Sequence, residues 1–295
     1  MDPRQLQRVS RDAGFFAALD QSGGSTPQAL DQYGINRDRY STDEEMFDLV
    51  HGMRARIMTS PSFDGGRIIG AILFAGTMDR EIEGLGSARF LWQRKHIAPF
   101  LKVDQGLVEP SRGVRLMKPI DGLEDLLGRA SLAGIFGTKM RSVVQAADEG
   151  GIAALLDQQF DTASRILAAG LVPILEPEVD IRSPQKLAAE EHLRAGIAER
   201  LAQLTDGARV MLKLSLPSQP GFYDDFVRDD RVLRVLALSG GYSRRDAVRL
   251  LAANPGLVAS FSRALLEGLS SEQSDADFDA ALDAAITQIY AASLT

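Results

Sequence analysis

Three pairs of charged residues, each two positions apart, stand inside short apolar runs of this sequence. The pairs are Lys102 with Asp104, Lys139 with Arg141, and Glu176 with Glu178. A further lysine, Lys213, has apolar neighbours on both sides in the run 210–216. Alternate residues of a strand point to the same face, so the members of each pair should project together. Lysines and carboxylates gathered on one face can attack a carbonyl carbon and move the protons that such a reaction needs.

Lys213 is the best placed of the lysines to act as a nucleophile. Burial and neighbouring cations favour the neutral amine of a lysine, which is the form that attacks a carbonyl. Lys139 and Arg141 would supply the neighbouring charge, and Glu176 or Glu178 could carry protons. Lys139, whose flanking residues are less apolar, is the alternative nucleophile.

Eight apolar runs of strand length contain these residues or lie between them. The predicted strands cover residues 14–20, 67–74, 98–104, 134–141, 171–179, 209–216, 232–239 and 257–263. Amphipathic stretches separate them, and the clearest predicted helices cover residues 43–58, 142–169, 183–204, 243–253 and 271–292. Strands that alternate with helices pair in parallel, because each helix returns the chain to the same edge of the sheet. The connection after the third strand, through Lys118 and Pro119, shows no clear pattern.

Eight such units predict an α/β fold of the closed (β/α)8 type, the TIM barrel. An open doubly wound sheet is the alternative, but the sequence 20–25 lacks the glycine spacing of a nucleotide-binding turn. In a barrel the working groups lie at the carboxyl ends of the strands, and Asp20 ends the first predicted strand. Any single charged pair could be a buried ion pair that serves the structure alone. Charged residues near the carboxyl ends of five strands together indicate an active site.

Two groups of residues could bind anions at this rim. The first group follows the seventh and eighth strands, the common phosphate site of barrels, and comprises Ser239, Gly240, Gly241, Ser262 and Arg263. The second would lie across the mouth and comprises Lys102, Arg141, Ser22 and Ser25. Two anion sites on either side of an amine nucleophile predict a small substrate phosphorylated at both ends.

Composition limits the classes of protein open to the chain. Its 295 residues, 45% hydrophobic and 25% charged, predict one catalytic domain over residues 1–295. A net charge of -7 argues against a nucleic-acid partner, since a phosphate backbone calls for a basic face. The chain has no cysteine and no apolar run that could span a bilayer, so we expect a cytoplasmic protein without membrane contact. Both a monomer and a small homo-oligomer fit the sequence.

No metal or other cofactor is expected. A zinc-dependent enzyme would need several histidines at the strand ends. The chain has three histidines, and all lie away from the predicted strand ends: His51, His96 and His192. A magnesium site is the stronger rival, with oxygen ligands from Asp20, Glu176 and Glu178. Lys139 and Lys213 among these carboxylates would repel the ion.

Seven segments spread over the whole chain form a pattern, and in chain order they are Ala17-Ala-Leu-Asp-Gln-Ser-Gly-Gly-Ser-Thr26, Phe100-Leu-Lys-Val-Asp-Gln-Gly106, Phe136-Gly-Thr-Lys-Met-Arg-Ser142, Val172-Pro-Ile-Leu-Glu-Pro-Glu-Val179, Met211-Leu-Lys-Leu214, Leu238-Ser-Gly-Gly241 and Ser260-Phe-Ser-Arg-Ala-Leu265. Together they resemble the class I (Schiff-base) fructose-bisphosphate aldolases, in particular their shorter bacterial form. The resemblance implies a glycolytic and gluconeogenic lyase that reversibly cleaves fructose 1,6-bisphosphate to dihydroxyacetone phosphate and glyceraldehyde 3-phosphate.

The resemblance also implies a role for each matching residue. Lys213 would form the imine with C2 of the ketose, and Glu176 would act as general acid and base. Lys139 would stabilise the carbinolamine, and Asp20 would position the C3 and C4 hydroxyls. Glu178, the second glutamate of Glu-Pro-Glu, would lie behind the residues that contact the substrate. The C1-phosphate site would comprise Ser239, Gly240, Ser262 and Arg263, and the C6-phosphate site Lys102 and Arg141.

The sequence departs from the animal-type pattern at three places. Met140 and Ser262 stand where those enzymes have tryptophan and glycine, and Tyr290 falls in a helical pattern, where we expect it to pack rather than serve as a mobile tail tyrosine. Two alternatives therefore stay open. One is a Schiff-base aldolase for another ketose such as tagatose 1,6-bisphosphate, and the other is a non-catalytic phosphosugar-binding barrel.

Overall fold

The computed structural model describes residues 2–21 and 26–295, and its centre is a closed ring of eight parallel strands. The strands are β1 (Phe15–Leu19), β2 (Ile68–Leu73), β3 (Ala98–Lys102), β4 (Gly137–Val144), β5 (Val172–Val179), β6 (Val210–Ser215), β7 (Val232–Leu238) and β8 (Val258–Phe261). Each pairs in parallel with the next, and β8 pairs with β1 to close the ring. The predicted (β/α)8 barrel is confirmed, and the open sheet is excluded.

Helices surround the ring on the outside. In the described ranges they are α1 (Pro3–Arg11), α2 (Thr26–Gln32), α3 (Asp43–Thr59), α4 (Ala75–Met78), α5 (Ser87–Lys95), α6 (Leu123–Ala133), α7 (Glu149–Ala168), α8 (Lys186–Leu201), α9 (Asp224–Val227), α10 (Arg244–Ala252), α11 (Arg263–Leu266) and α12 (Asp275–Ala292). A 3-10 turn covers Arg37–Arg39, and short strands cover Glu81–Ile82, Leu85–Gly86 and Val114–Arg115. None of the helices in these ranges is both long and apolar enough to cross a bilayer.

The predicted helix 142–169 begins too early, because β4 runs on to Val144. The end of β4 pairs with β5 on one side and, in antiparallel fashion, with Val114–Arg115 on the other. Helix α7 starts only at Glu149, where the Asp148 side chain accepts a hydrogen bond from the Gly151 N–H at 2.6 Å. The segment without a clear pattern after β3 forms a hairpin over residues 106–118 and then helix α6.

The inside of the barrel below the charged residues is filled by a layer of aromatic rings. Phe100 lies edge-on to Phe16 and to Phe136, with ring centroids 5.6 and 5.4 Å apart. Gly70 and Gly137 leave room for these rings, since a Cβ there would come within 2.6 Å of Phe16 and 2.8 Å of Phe100. The layer supports the charged residues, which lie nearer to the carboxyl ends of the strands.

Helix α1 closes the amino-terminal end of the barrel. Its Val9 is fully buried among the interior residues, and the Gln5 side chain donates to the Gly134 carbonyl just before β4. From β7, Arg234 donates to the Val9 and Asp12 carbonyls at 2.7 Å each. Because this end is filled, the barrel opens to solvent at the carboxyl ends of its strands.

Candidate active site

A cavity of about 570 Å³ opens at the carboxyl ends of the strands and collects most of the predicted site residues. The predicted residues that line it are Asp20, Lys102, Lys139, Arg141, Glu176, Glu178, Lys213, Ser239, Gly240, Ser262 and Arg263. Gly241 lines an adjoining cavity, which Arg263 also borders. Ser22 and Ser25 lie outside the described residues.

Four buried charges meet at the centre of this cavity. The Lys139 ammonium of β4 lies between two carboxylates, 2.6 Å from Asp20 Oδ2 and 2.8 Å from Glu176 Oε2. The other oxygen of Glu176, Oε1, lies 3.0 Å from Lys213 Nζ of β6. All four side chains are at most 8% exposed. The two lysines and two carboxylates therefore form one alternating chain of charges, shielded from bulk water.

This arrangement controls the protonation of the carboxyl groups. Burial alone would raise the pKa of Asp20, but the charges of Lys139 and Lys213 outweigh it and hold the pKa at about 2. Burial likewise opposes ionisation of Glu176, and the same two lysines lower its pKa. Burial would lower the pKa of Lys139, yet Asp20 and Glu176 raise it. At neutral pH both carboxylates are ionised and Lys139 is an ammonium ion.

The two lysines differ in how firmly they are held. Lys139 contacts two carboxylates, whereas Lys213 contacts one, at the longest of the three distances. On either side of Lys213, Leu212 and Leu214 are fully buried in the wall of the barrel. Lys139 would lose two ion pairs if it became a nucleophile. The geometry therefore favours Lys213 for attack on a carbonyl group and Lys139 for stabilising a negative charge.

Two cations on one side of the cavity each have a carboxylate partner. Lys102 Nζ lies 2.5 Å from Asp104 Oδ1, and the other oxygen of Asp104 accepts from the Arg141 backbone N–H at 3.1 Å. The Arg141 side chain donates from Nε to Glu178 at 2.6 Å. The charge of Glu178 raises the pKa of Arg141 against the opposing effect of burial. Because Lys102 and Arg141 lie across adjacent strands, both can face one ligand.

On the opposite side, backbone and hydroxyl groups surround a space suited to an anion. Gly240 has φ of 59° and Gly241 has φ of 111°, conformations that glycine adopts without strain. Ser262 follows β8, and Arg263 begins the short helix α11. Exposed backbone N–H groups beside an arginine are typical of phosphate sites in barrels.

Two residues that the sequence pattern did not indicate hold the end of β1 in place at this site. Gln21, next to Asp20, donates from Nε2 to Ser262 Oγ at 2.6 Å and so joins the ends of β1 and β8. Arg54 of α3 is fully buried and donates to Thr77 Oγ1 at 2.7 Å and to the Gln21 carbonyl. Burial lowers the pKa of Arg54 to about 10, although the charge of Asp20 opposes this. An arginine on the apolar face of a helix, between Met53 and Ile57, was a signal that could have identified Arg54.

A third missed residue, Arg115, lines the cavity from the hairpin 106–118. No periodic pattern marks that hairpin, so Arg115 could not be placed near the charged pairs from the sequence.

The geometry argues against a magnesium site among these carboxylates. The space between Asp20 and Glu176 is occupied by the Lys139 ammonium, which contacts both carboxylates. The histidines lie elsewhere: His51 is in α3, with Nε2 3.1 Å from the Glu81 carbonyl, His96 ends α5, and His192 is in α8. Within residues 2–21 and 26–295, no three His, Asp or Glu side chains converge as a metal site requires.

The fold and the buried lysines at its mouth define a class: a (β/α)8-barrel enzyme whose active site is built on lysine and carboxylate. The chain matches no protein-family model. It is 54% identical to a fructose-bisphosphate aldolase class 1 from Synechocystis over 99% of this chain and 97% of that one. It is 52% identical to the enzyme of that name from Porphyromonas gingivalis over the full length of both. The chain therefore belongs to the class I fructose-bisphosphate aldolases.

A solved structure supports the fold independently. A fructose-bisphosphate aldolase from Plasmodium falciparum superimposes with a TM-score of 0.80 and 21% identity, over 98% of this chain and 92% of that one. At this identity the likeness speaks for the barrel architecture alone.

Proposed function

We propose that this protein reversibly cleaves fructose 1,6-bisphosphate to dihydroxyacetone phosphate and glyceraldehyde 3-phosphate through a Schiff base on Lys213. The observation that carries the proposal is the buried contact of 3.0 Å between Lys213 Nζ and Glu176 Oε1. It joins an amine to a proton acceptor within hydrogen-bonding distance, as imine chemistry requires. Family membership and the two anion-binding sides of the cavity support the same reaction.

Imine formation comes first in the proposed sequence. Lys213 gives one proton to Glu176, and its neutral amine attacks C2 of the open-chain ketose to form a carbinolamine. Lys139, a cation held beside Glu176, stabilises the oxygen that carries the developing charge. This oxygen takes a proton from the newly bonded nitrogen and becomes the C2 hydroxyl. Glu176 then returns its proton to that hydroxyl, which leaves as water, and an iminium ion forms.

Cleavage of the C3–C4 bond follows. Glu176, again a carboxylate, accepts the proton of the C4 hydroxyl, and the electrons of the C3–C4 bond pass to C2–C3 to form an enamine as the iminium is neutralised. Glyceraldehyde 3-phosphate leaves at this point. Asp20, held as a carboxylate by Lys139, orients the C3 and C4 hydroxyls. Protonation of C3 and addition of water then release dihydroxyacetone phosphate and regenerate Lys213.

The remaining predicted residues bind the two phosphates in this proposal. Ser239, Gly240, Gly241, Ser262 and Arg263 form the C1-phosphate side. Lys102 and Arg141 form the C6-phosphate side, to which Ser22 and Ser25 would belong. Glu178 is a positioning residue, since its contact is with Arg141. We further propose that residues 1–295 act as one catalytic domain in the cytoplasm.

Borohydride trapping tests the proposal. Reduction in the presence of dihydroxyacetone phosphate should convert the imine to a stable secondary amine, and peptide mapping should find the added mass on Lys213. Lys213→Ala should lower kcat for fructose 1,6-bisphosphate by at least about 10⁴-fold, because the covalent route is lost. Chelation by EDTA should leave the wild-type rate unchanged.

Three results would count against it. An adduct on Lys139 would exchange the roles of the two lysines. Full activity of Lys213→Ala, or loss of wild-type activity in EDTA, would refute the Schiff-base route. A matched substrate series of fructose 1,6-bisphosphate, tagatose 1,6-bisphosphate and fructose 1-phosphate then separates this enzyme from the alternatives, since a binding protein would cleave none of them.

A further inference from the structure

The hairpin 106–118 brings a further cation, Arg115, to the wall of the catalytic cavity. In the antiparallel pairing with β4, Arg115 lies opposite Val143. Residues directly opposite in such a pair point to the same face, and Val143 shares its face with Arg141 two positions earlier. Arg115 therefore projects on the Arg141 side of the cavity, the side proposed for the C6 phosphate.

The two cations already assigned to that side are neutralised by the protein itself. Lys102 pairs with Asp104 at 2.5 Å, and Arg141 pairs with Glu178 at 2.6 Å. These four groups together carry no net charge. A phosphate monoester at neutral pH carries a charge of about -1.5 to -2. Binding it there needs a further positive group, or the partial loss of an ion pair.

Arg115 has the charge that is missing. Within residues 2–21 and 26–295 its guanidinium forms no ion pair with a carboxylate, and its Nε donates to the Val108 carbonyl at 3.0 Å. That bond fixes the plane of the guanidinium and leaves both terminal amino groups available. Two parallel N–H groups are the usual means by which arginine binds a phosphate.

The hairpin is anchored well enough to hold this position. The Gly113 carbonyl accepts from the N–H groups of Gln145 and Ala146 at 2.7 and 3.0 Å. On the other side, the amide of Gln158 in α7 accepts from the Met117 N–H at 2.8 Å and donates to its carbonyl at 2.9 Å. Both ends of the strand that carries Arg115 are thus bound to the barrel.

We propose that Arg115 is a specificity-determining residue that binds the phosphate on the aldehyde half of the substrate and selects a bisphosphate over a monophosphate. The inference rests on the proposed function, since it names the group that recognises one end of that substrate. Lys102 and Arg141 then position the phosphate, and Arg115 supplies the net charge that holds it.

Substrates with and without the C6 phosphate give the test. For Arg115→Met, kcat/KM for fructose 1,6-bisphosphate should fall about 30-fold or more, mainly through KM, while kcat/KM for fructose 1-phosphate should change less than about twofold. Arg115→Lys should recover part of the loss, because it restores a charge without the planar fork. Arg112→Met is the matched control: Arg112 is on the same hairpin, is exposed, and lies 3.4 Å from Asp148.

The outcomes separate the inference from the function on which it rests. If Arg115→Met affects both substrates alike, or behaves as Arg112→Met does, Arg115 does not recognise the C6 phosphate. If the wild-type protein neither cleaves these ketoses nor forms a borohydride adduct with dihydroxyacetone phosphate, the proposed function itself fails. Circular dichroism of the variants checks that a change in KM does not arise from unfolding.

Discussion

At the scale of single residues, Lys139 balances two carboxylates that are at most 8% exposed. Replacing it by methionine leaves Asp20 and Glu176 buried with one lysine of the cluster, Lys213, which contacts Glu176. Loss of one partner from a buried ion pair costs about 3–5 kcal/mol. We expect Lys139→Met to lower the free energy of unfolding by that amount in urea titrations, and to lower kcat by at least about 100-fold.

The double variant Asp20→Asn with Lys139→Met is the control for this charge argument. It removes a buried anion together with the cation, so it should be more stable than Lys139→Met alone. A double variant as unstable as the sum of the two single changes would show that packing, rather than uncompensated charge, explains the loss.

At the scale of secondary structure, the position of the hairpin depends on α7. Removing the Gln158 amide leaves the buried Met117 N–H and carbonyl without their partners, so the hairpin should move away from the helix. We expect Gln158→Ala to raise KM for fructose 1,6-bisphosphate about 3- to 10-fold, with little change for fructose 1-phosphate.

Ser164→Ala on the same helix is the comparison, because its hydroxyl donates to the Phe160 carbonyl within α7 at 3.0 Å. Equal KM values for the two variants would mean that the hairpin holds its place without Gln158.

The elements differ in how well the sequence predicted them. The eight strands were visible as apolar runs, since both of their faces are buried and each side chain must be apolar or paired. The end of β4 was missed because Ser142, Val143 and Val144 fit a strand and a helix equally well. Its strand state follows from a long-range pairing with residues 114–115, which no local pattern reports. For the same reason Arg115 escaped prediction, whereas Lys102, Lys139 and Lys213 stood out as charges within strands.

At the scale of the whole molecule, the buried cluster makes stability depend on acid. The pKa of Asp20 is about 2 in the folded chain against 3.8 for a solvated aspartate in the unfolded chain, so its ionised form stabilises the fold above pH 3.8 and this stabilisation is lost as pH falls toward 2. The shift corresponds to about 2 kcal/mol at neutral pH, of which about 1 kcal/mol should be lost between pH 5 and pH 3.

Urea titrations of the wild type and Asp20→Asn across this range measure the effect. The difference in unfolding free energy between the two should shrink as pH falls. A difference that stays constant from pH 5 to pH 3 would mean that Asp20 is not held as a carboxylate by the lysines.

The barrel as a whole is closed at its amino-terminal end. Helix α1 and the ring layer of Phe16, Phe100 and Phe136 fill its lower half, so a molecule that reaches Lys213 has come through the mouth and departs the same way. With the role proposed for Lys213, the two fragments leave in a fixed order: the aldehyde leaves first, while the three-carbon ketone is still bonded to the lysine. In the direction of synthesis the order is reversed, and the ketone must bind before the aldehyde.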